Sequence, residues 1–146
     1  MRNILIIGAG RSAASLIRYL LDKSNEEALF ITIGDLSIQA AQKFTANHPN
    51  ARGVLLDVFN ESQRKEAVQN SDLVISMLPA RFHFEVAQDC LEFGKHLVTA
   101  SYVSDEMQSL NSKAKAKGLV FMNEIGLDPG LDHMSAMKII DRIREN

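Results

Sequence analysis

The chain has one cysteine, three prolines and no tryptophan. Cys90 alone cannot close an internal disulfide, which excludes a disulfide-stapled scaffold and agrees with a reducing, cytoplasmic setting. No apolar run nears the ~20 residues that span a bilayer, so no membrane partner is expected. Met1-Arg2-Asn3 leads straight into a short aliphatic stretch, without the h-region and cleavage site of a signal peptide. An excess of one charge is missing too. Sixteen Lys and Arg against 18 Asp and Glu leave a formal charge of −2, which gives no reason to expect nucleic acid. The four histidines, His48, His83, His96 and His133, lack an H-x-x-x-H spacing or a cysteine partner, so no metal site is expected. No repeat, low-complexity tract or linker breaks the sequence, and residues 1–146 are read as one domain.

What is present begins at the front. Ile4 to Ile7 are four consecutive large aliphatics running into Gly8-Ala9-Gly10, and a helix-compatible segment follows. A continuous apolar run closed by glycine suits a strand buried on both faces, as in a parallel sheet. Gly8 can take the angles of a tight strand-to-helix turn, and Gly10 leaves room for a pyrophosphate against the main chain. Ala13 stands where G-x-G-x-x-G/A has its third small residue, with Ala9, Arg11 and Ser12 filling the turn. Free N–H groups of the first helical turn would face the phosphates. Gly34-Asp35 closes a second apolar run, Ala28 to Ile33, 25 residues after Gly10 and close to the ~20 expected for the acid that binds the adenosine ribose. Two plainer readings stand beside this one. Asp35 would also serve to cap the next helix at Ser37, and a methyltransferase too wants glycines and a second-strand acid. A methyltransferase turn usually carries a further glycine near position 12, where this chain has Ser12.

Helices are expected over Ser12–Lys23, Ser37–Asn47, a short polar segment capped by Asn60 or Ser62 and ending at Gln69, Phe82–Phe93, Ser104–Lys117 and Asp132–Arg144. Gly94 and Gly118 stand where helix ends favour glycine. Strands are expected over the front run, Ala28–Ile33, Val54–Leu56, Ser71–Leu78, Leu97–Ala100 and Leu119–Met122. Six strands alternating with helices argue an α/β fold: a doubly wound parallel sheet of Rossmann type with helices on both faces. Ligands of such sheets bind beyond the carboxyl ends of the strands. Those ends are Gly8-Ala9-Gly10, Gly34-Asp35, Asp57-Val58, Leu78-Pro79-Ala80, Ala100-Ser101-Tyr102 and Gly126-Leu127-Asp128. Small and polar residues gather there.

Three stretches go beyond this generic plan: Ser76-Met77-Leu78-Pro79 with Phe82-His83; Val98-Thr99-Ala100-Ser101-Tyr102-Val103-Ser104; and Met122 to His133, read M-N-E-I-G-L-D-P-G-L-D-H. Together with the glycine turn they resemble the nucleotide-binding domain of the saccharopine dehydrogenase (saccharopine reductase) family, across essentially the whole chain. The resemblance implies an NAD(P)-dependent oxidoreductase of lysine metabolism that oxidises the secondary amine of saccharopine to an imine, which water splits. It places Ala9 to Ser12 at the pyrophosphate and Asp35 at the ribose. Asp57, Val58 and Leu78, with Pro79 after it, fall on the adenine and ribose side. Ala100, Ser101 and Tyr102 fall with Leu127, Asp128 and Pro129 on the rim where nicotinamide meets substrate. Ser101, Tyr102 and Asp128 would touch the amino-acid end of that substrate.

Relatives that prefer NADP tend to carry a basic residue after the second strand, whereas this chain has Asp35-Leu36. A carboxylate there repels a 2′-phosphate, so NAD is expected ahead of NADP. The resemblance also implies a substrate-holding domain after residue 146, absent from this chain. The chain alone is therefore expected to turn over no substrate, and a homodimer is an expectation for the longer protein. No residue is assigned a catalytic proton transfer. Tyr102 would act as acid or base only with its pKa of ~10 lowered by neighbours. Arg11 is read as a phosphate contact or a solvated cation, His133 and Asp132 as helix-start residues, Lys113, Lys115 and Lys117 as a solvated face, and Cys90 as a core thiol. Alternatives are a lysine dehydrogenase or carboxynorspermidine type of C–N oxidoreductase, or a non-catalytic nucleotide-sensing module.

Overall fold

A computed structural model describes residues 1–46 and 48–145. Its centre is β1 (Arg2–Ile7), the run of aliphatics that the sequence buries on both faces. Ile4 and Ile6 point into one apolar cluster with Ile31, Ile33, Ile17, Ala13 and Ala41. Leu5 and Ile7 point into the other with Val74, Leu97, Val68, Val86 and Cys90. The period-2 alternation of a strand thus feeds two cores, one per face.

Around β1 the other five strands are parallel: β2 (Leu29–Asp35), β3 (Ala51–Leu55), β4 (Leu73–Ser76), β5 (His96–Thr99) and β6 (Phe121–Met122). Their order is β3-β2-β1-β4-β5-β6. The chain winds outward from β1 in one direction, then crosses back to β4 and winds out in the other. The crossover opens a crevice at the carboxyl ends of β1 and β4. In register, Ile7 stands beside Gly34 on one side and Ser76 on the other, so the three strand ends finish level.

The helices are α1 (Ala14–Lys23), α2 (Ile38–Thr45), α3 (Glu61–Gln69), α4 (His83–Phe93), α5 (Asp105–Ser109), α6 (Asn111–Ala116) and α7 (Leu131–Arg144). Side-chain caps start three of them: Ser37 accepts from Ala40 N–H, Asn60 from Gln63 N–H, and Ser104 from Met107 N–H. Gly94 ends α4 at φ 68°, the left-handed angle that glycine takes without strain.

Several boundaries differ from the sequence expectation. The helix expected over Ser104–Lys117 is two helices, because Leu110 turns into the core and its N–H bonds Met107 carbonyl, tightening the chain there. The Ser109 hydroxyl also donates to Glu106 carbonyl and competes with the helical ladder. The third strand starts at Ala51 rather than Val54, since pairing with β2 recruits Arg52 and Gly53 despite their weak strand preference. A Cβ on Gly53 would stand 2.8 Å from the main chain of α2, so the strand carries glycine where a helix backbone presses on it. The fourth strand is shorter than Ser71–Leu78, because the Ser71 hydroxyl donates to Val68 carbonyl and closes the preceding turn. The helix start expected at Ser37 is its cap, and the end expected at Asn47 lies outside the described residues.

Candidate functional site

The Gly8–Ala13 turn is built from the main chain. Gly8 sits at φ 102°, and a Cβ there would stand 3.1 Å from Met77 carbonyl oxygen, so glycine is required twice over. Its N–H donates to Gly34 carbonyl at 2.8 Å. Gly10 is different. It has ordinary extended angles, φ −69° and ψ 175°, and a Cβ on it would meet nothing within 4 Å. Nothing inside the chain asks for glycine at position 10. Ala13 is fully buried, which lets the start of α1 pack close to the sheet. A single 3-10 turn, Arg11–Ala13, leads into α1, and no side chain caps either start.

Asp35 braces this turn. Its Oδ2 accepts from Ala9 N–H at 2.7 Å, and its Oδ1 accepts from Ser37 N–H at 2.8 Å. Both oxygens are drawn onto main-chain donors, so the carboxylate charge is turned toward the protein. Gly34, expected at the cofactor, lies buried, and Leu56 occupies the space that its Cβ would need. Asp57 accepts from Phe59 N–H, while Val58 and Leu78 face the core. These residues shape the crevice from below. Gly10, Arg11, Ser12 and Pro79 stand exposed along it, and Ala100 and Ser101 half-buried.

The Val58 segment is held by an interior ion pair. Arg64 Nε donates to Asp89 Oδ2 at 2.6 Å and its Nη1 to Val58 carbonyl at 2.7 Å, with side-chain exposures of 11% and 4% for the pair. Nearby, the Phe59 and Phe82 rings meet edge to face at 4.9 Å, and the Arg81 guanidinium lies over Phe82 at 4.6 Å. Sequence reading did not single out Phe59, Arg81 or the Arg64–Asp89 pair.

On the other side of the crossover the rim is made of side chains. Tyr102 donates to Asp128 Oδ1 at 2.6 Å, which brings together two residues 26 apart in sequence that were expected at the substrate. That hydrogen bond, with Asp132 and Glu124 near, pushes the phenol up to about 12. The shift runs opposite to the one an acid–base role needs, so Tyr102 here is a hydrogen-bonding group. His133 Nδ1 lies 2.9 Å from Asp132 Oδ1, and its ring meets Tyr102 edge-on at 6.4 Å. Asp132 also accepts from Gly130 N–H, as a helix-start residue does. Leu127 is exposed, and Pro129 is buried with its carbonyl taken by Gly126 N–H, so these two frame the loop in different ways.

His83, read from sequence as one of four scattered histidines, is the centre of a buried hydrogen-bond cluster. Its Nδ1 lies 2.9 Å from Ser76 Oγ, and its Nε2 lies 2.9 Å from Thr99 Oγ1 and 2.8 Å from Ser101 Oγ. Burial pushes the imidazole pKa down, which keeps it neutral. Its appearance in the Phe82-His83 motif was the one signal that could have found it. Cys90 is buried as expected, and burial pushes its thiol up to about 12, which makes it inert. Among the described residues no cluster of His, Cys, Asp and Glu could hold a metal ion, and no helix is long and apolar enough to cross a membrane.

Comparison with known proteins bears on this geometry. The family model described as the saccharopine dehydrogenase NADP binding domain matches residues 4–122. The saccharopine dehydrogenase [NADP(+), L-glutamate-forming] of Schizosaccharomyces pombe is 35% identical over 145 residues, covering 99% of this chain and 32% of that protein. The mitochondrial alpha-aminoadipic semialdehyde synthase of Mus musculus is 36% identical over 145 residues, covering 99% of this chain and 15% of that protein. Apo saccharopine dehydrogenase (L-Glu forming) from Saccharomyces cerevisiae superposes with a TM-score of 0.87 at 30% identity, over 99% of this chain and 32% of that one. The chain thus spans a third or less of the length of these relatives. The expectation of NAD ahead of NADP is overturned: the matching family model is an NADP-binding one, and the fungal relative is named for NADP(+). The physical reason is Asp35. Repulsion of a 2′-phosphate requires a carboxylate aimed at the ribose, and this one is bound by Ala9 and Ser37 N–H.

Proposed function

The chain belongs to the saccharopine dehydrogenase NADP-binding domain family, and from that premise we propose that it is the NADP-binding part of an oxidoreductase acting on the secondary amine of saccharopine or a close analogue. The observation that carries the cofactor reading is Gly10. Its ordinary backbone angles and the open space beside it leave a ligand against the main chain as the reason for glycine. The dinucleotide supplies hydride acceptance at nicotinamide, and the chain's own share is to bind and orient. Gly10, Arg11 and Ser12 would take the phosphates at the head of α1, where uncapped N–H groups and the helix dipole favour negative charge. The rim suits a substrate carrying an amine. Asp128, Asp132 and Glu124 surround Tyr102 and make that edge acidic, and Tyr102 and Asp128 offer hydrogen bonds to an amino-acid head group.

The test is a titration of the chain with NADPH and, separately, NADH, followed by nicotinamide fluorescence, on wild type and Gly10→Val. Wild type is expected to bind NADPH more tightly. Gly10→Val is expected to keep its thermal midpoint, because its side chain enters open space, and to lose more than about tenfold in affinity by blocking backbone approach. Absence of dinucleotide binding, or Gly10→Val binding like wild type, would overturn the reading.

A further inference from the structure

We propose that His83 is a positioning residue that fixes the Ser101 hydroxyl as an outward-pointing donor to the carboxamide oxygen of the nicotinamide half of the cofactor. The inference rests on the dinucleotide reading above. Ser101 follows the end of β5, two strands from the glycine turn and on the opposite side of it from β2 and β3. With the phosphates at the crossover and the adenosine half toward β2, the nicotinamide half extends toward β4 and β5.

Proton counting sets the direction of the cluster. Nδ1 faces one hydroxyl, that of Ser76, and Nε2 faces two, those of Thr99 and Ser101. A neutral imidazole has one lone pair and one N–H. With the lone pair on Nδ1, the Ser76 hydroxyl donates to it, one proton for one acceptor. The N–H on Nε2 is then shared by two oxygens, a three-centre arrangement that proteins use freely. The reverse tautomer sets two hydroxyl protons against a single lone pair. Once Nε2–H donates to Ser101 Oγ, the serine's own proton is directed away from the ring, toward the open end of the sheet. Ser76, Thr99 and His83 are all buried, so the imidazole is held by the core while Ser101 stands half-exposed at the mouth. The Ser101 N–H also donates to Thr99 Oγ1 at 3.3 Å, which fixes the backbone on which the hydroxyl turns.

Two substitutions of similar size separate positioning from packing. His83→Asn keeps an acceptor near Nδ1 for Ser76 but offers nothing at Nε2, and His83→Gln keeps a donor near Nε2. NADPH affinity, read by nicotinamide fluorescence, is expected to fall about three- to tenfold in His83→Asn and in Ser101→Ala, and to stay within about twofold in His83→Gln. The double variant His83→Asn with Ser101→Ala is expected to be no weaker than either alone. All of them are expected to bind 2′,5′-ADP, which lacks nicotinamide, as wild type does. Equal weakening of NADPH and 2′,5′-ADP, multiplied losses in the double variant, or His83→Asn binding like wild type would overturn the proposal. Imidazole 15N shifts of the free chain give an answer independent of cofactor. A neutral ring protonated on Nε2 is expected, and protonation on Nδ1 sinks the proposal. If wild type binds no NADPH, the dinucleotide reading fails, and the tautomer alone decides whether Ser101 is held as an outward donor.

Discussion

The two sides of the crevice are built from different materials. On the β1–β2 side the surface offered to a ligand is main chain: Gly8 at a positive φ, Gly10 with open space beside it, and Asp35 tying Ala9 and Ser37 N–H from below. On the β5–β6 side it is side chain: the Ser101 hydroxyl on His83, Tyr102 on Asp128, and the Asn123–Gly130 loop running into α7. The first side is anchored in both hydrophobic cores. The second is rooted in the core only through β5 and His83, and beyond them it is carried by a two-residue strand and by a helix with no buried residue. The β1–β2 side is thus the more firmly packed, and the β5–β6 side is the one that presents polar side chains.

The largest effect expected from breaking this contrast is in the interior that supports the first side. Asp89→Ala leaves the Arg64 guanidinium buried without its counter-charge, and the hydrogen bond from Arg64 to Val58 carbonyl loses its brace. A loss of about 3–5 kcal/mol in urea unfolding is expected, the usual result of removing one partner of a buried pair. A loss below about 1 kcal/mol would mean that the pair is solvated and that the Val58 segment is held some other way.

On the second side the effects show in titration rather than in stability. The Tyr102 phenol is pushed up to about 12 by its hydrogen bond to Asp128. Its folded value lies above the ordinary ~10, so whatever this contact contributes is fully present below pH ~10 and is lost as pH rises through about 12. In a Tyr19→Phe background, which leaves Tyr102 as the one tyrosine, phenolate absorbance is expected to rise near pH 12 and to move back toward the ordinary value in Asp128→Asn. A phenol that titrates near 10 with Asp128 in place would show that the contact does not persist in solution.

Legibility in the sequence follows the same division. Ile4 to Ile7 and the glycine turn could be read because their logic is local: a run buried on both faces and a residue that must take positive φ. The six parallel strands agree with the doubly wound sheet expected from the alternation of strands and helices. His83 could not be read in the same way, because its partners lie 7, 16 and 18 residues away and meet only when β4, β5 and α4 pack. Leu110 split an expected helix for a similar reason, since the core that draws it inward is tertiary. The cofactor preference went wrong at Asp35 because a sequence shows that a carboxylate is present and not where it points. Two main-chain N–H groups decide that, one of them 26 residues earlier.

The smallest effect is expected where packing is least. Met134, Met137, Ile139, Ile140 and Ile143 give α7 an apolar composition, yet all five are exposed, Ile143 at 71%. In α1, Ile17 is at 0% and packs against the centre of the sheet. Removing each side chain therefore reads two different quantities. Ile17→Ala takes methylenes out of a filled interior and is expected to cost about 2–5 kcal/mol. Ile143→Ser removes little of the folded chain's burial, so its stability is expected to stay within about 0.5 kcal/mol of wild type. It also takes an apolar group off the surface, and self-association at high concentration, followed by light scattering, is expected to fall. Equal losses in the two variants would mean that α7 packs on the domain in solution, and the side-chain-built half would then be as firmly anchored as the glycine turn.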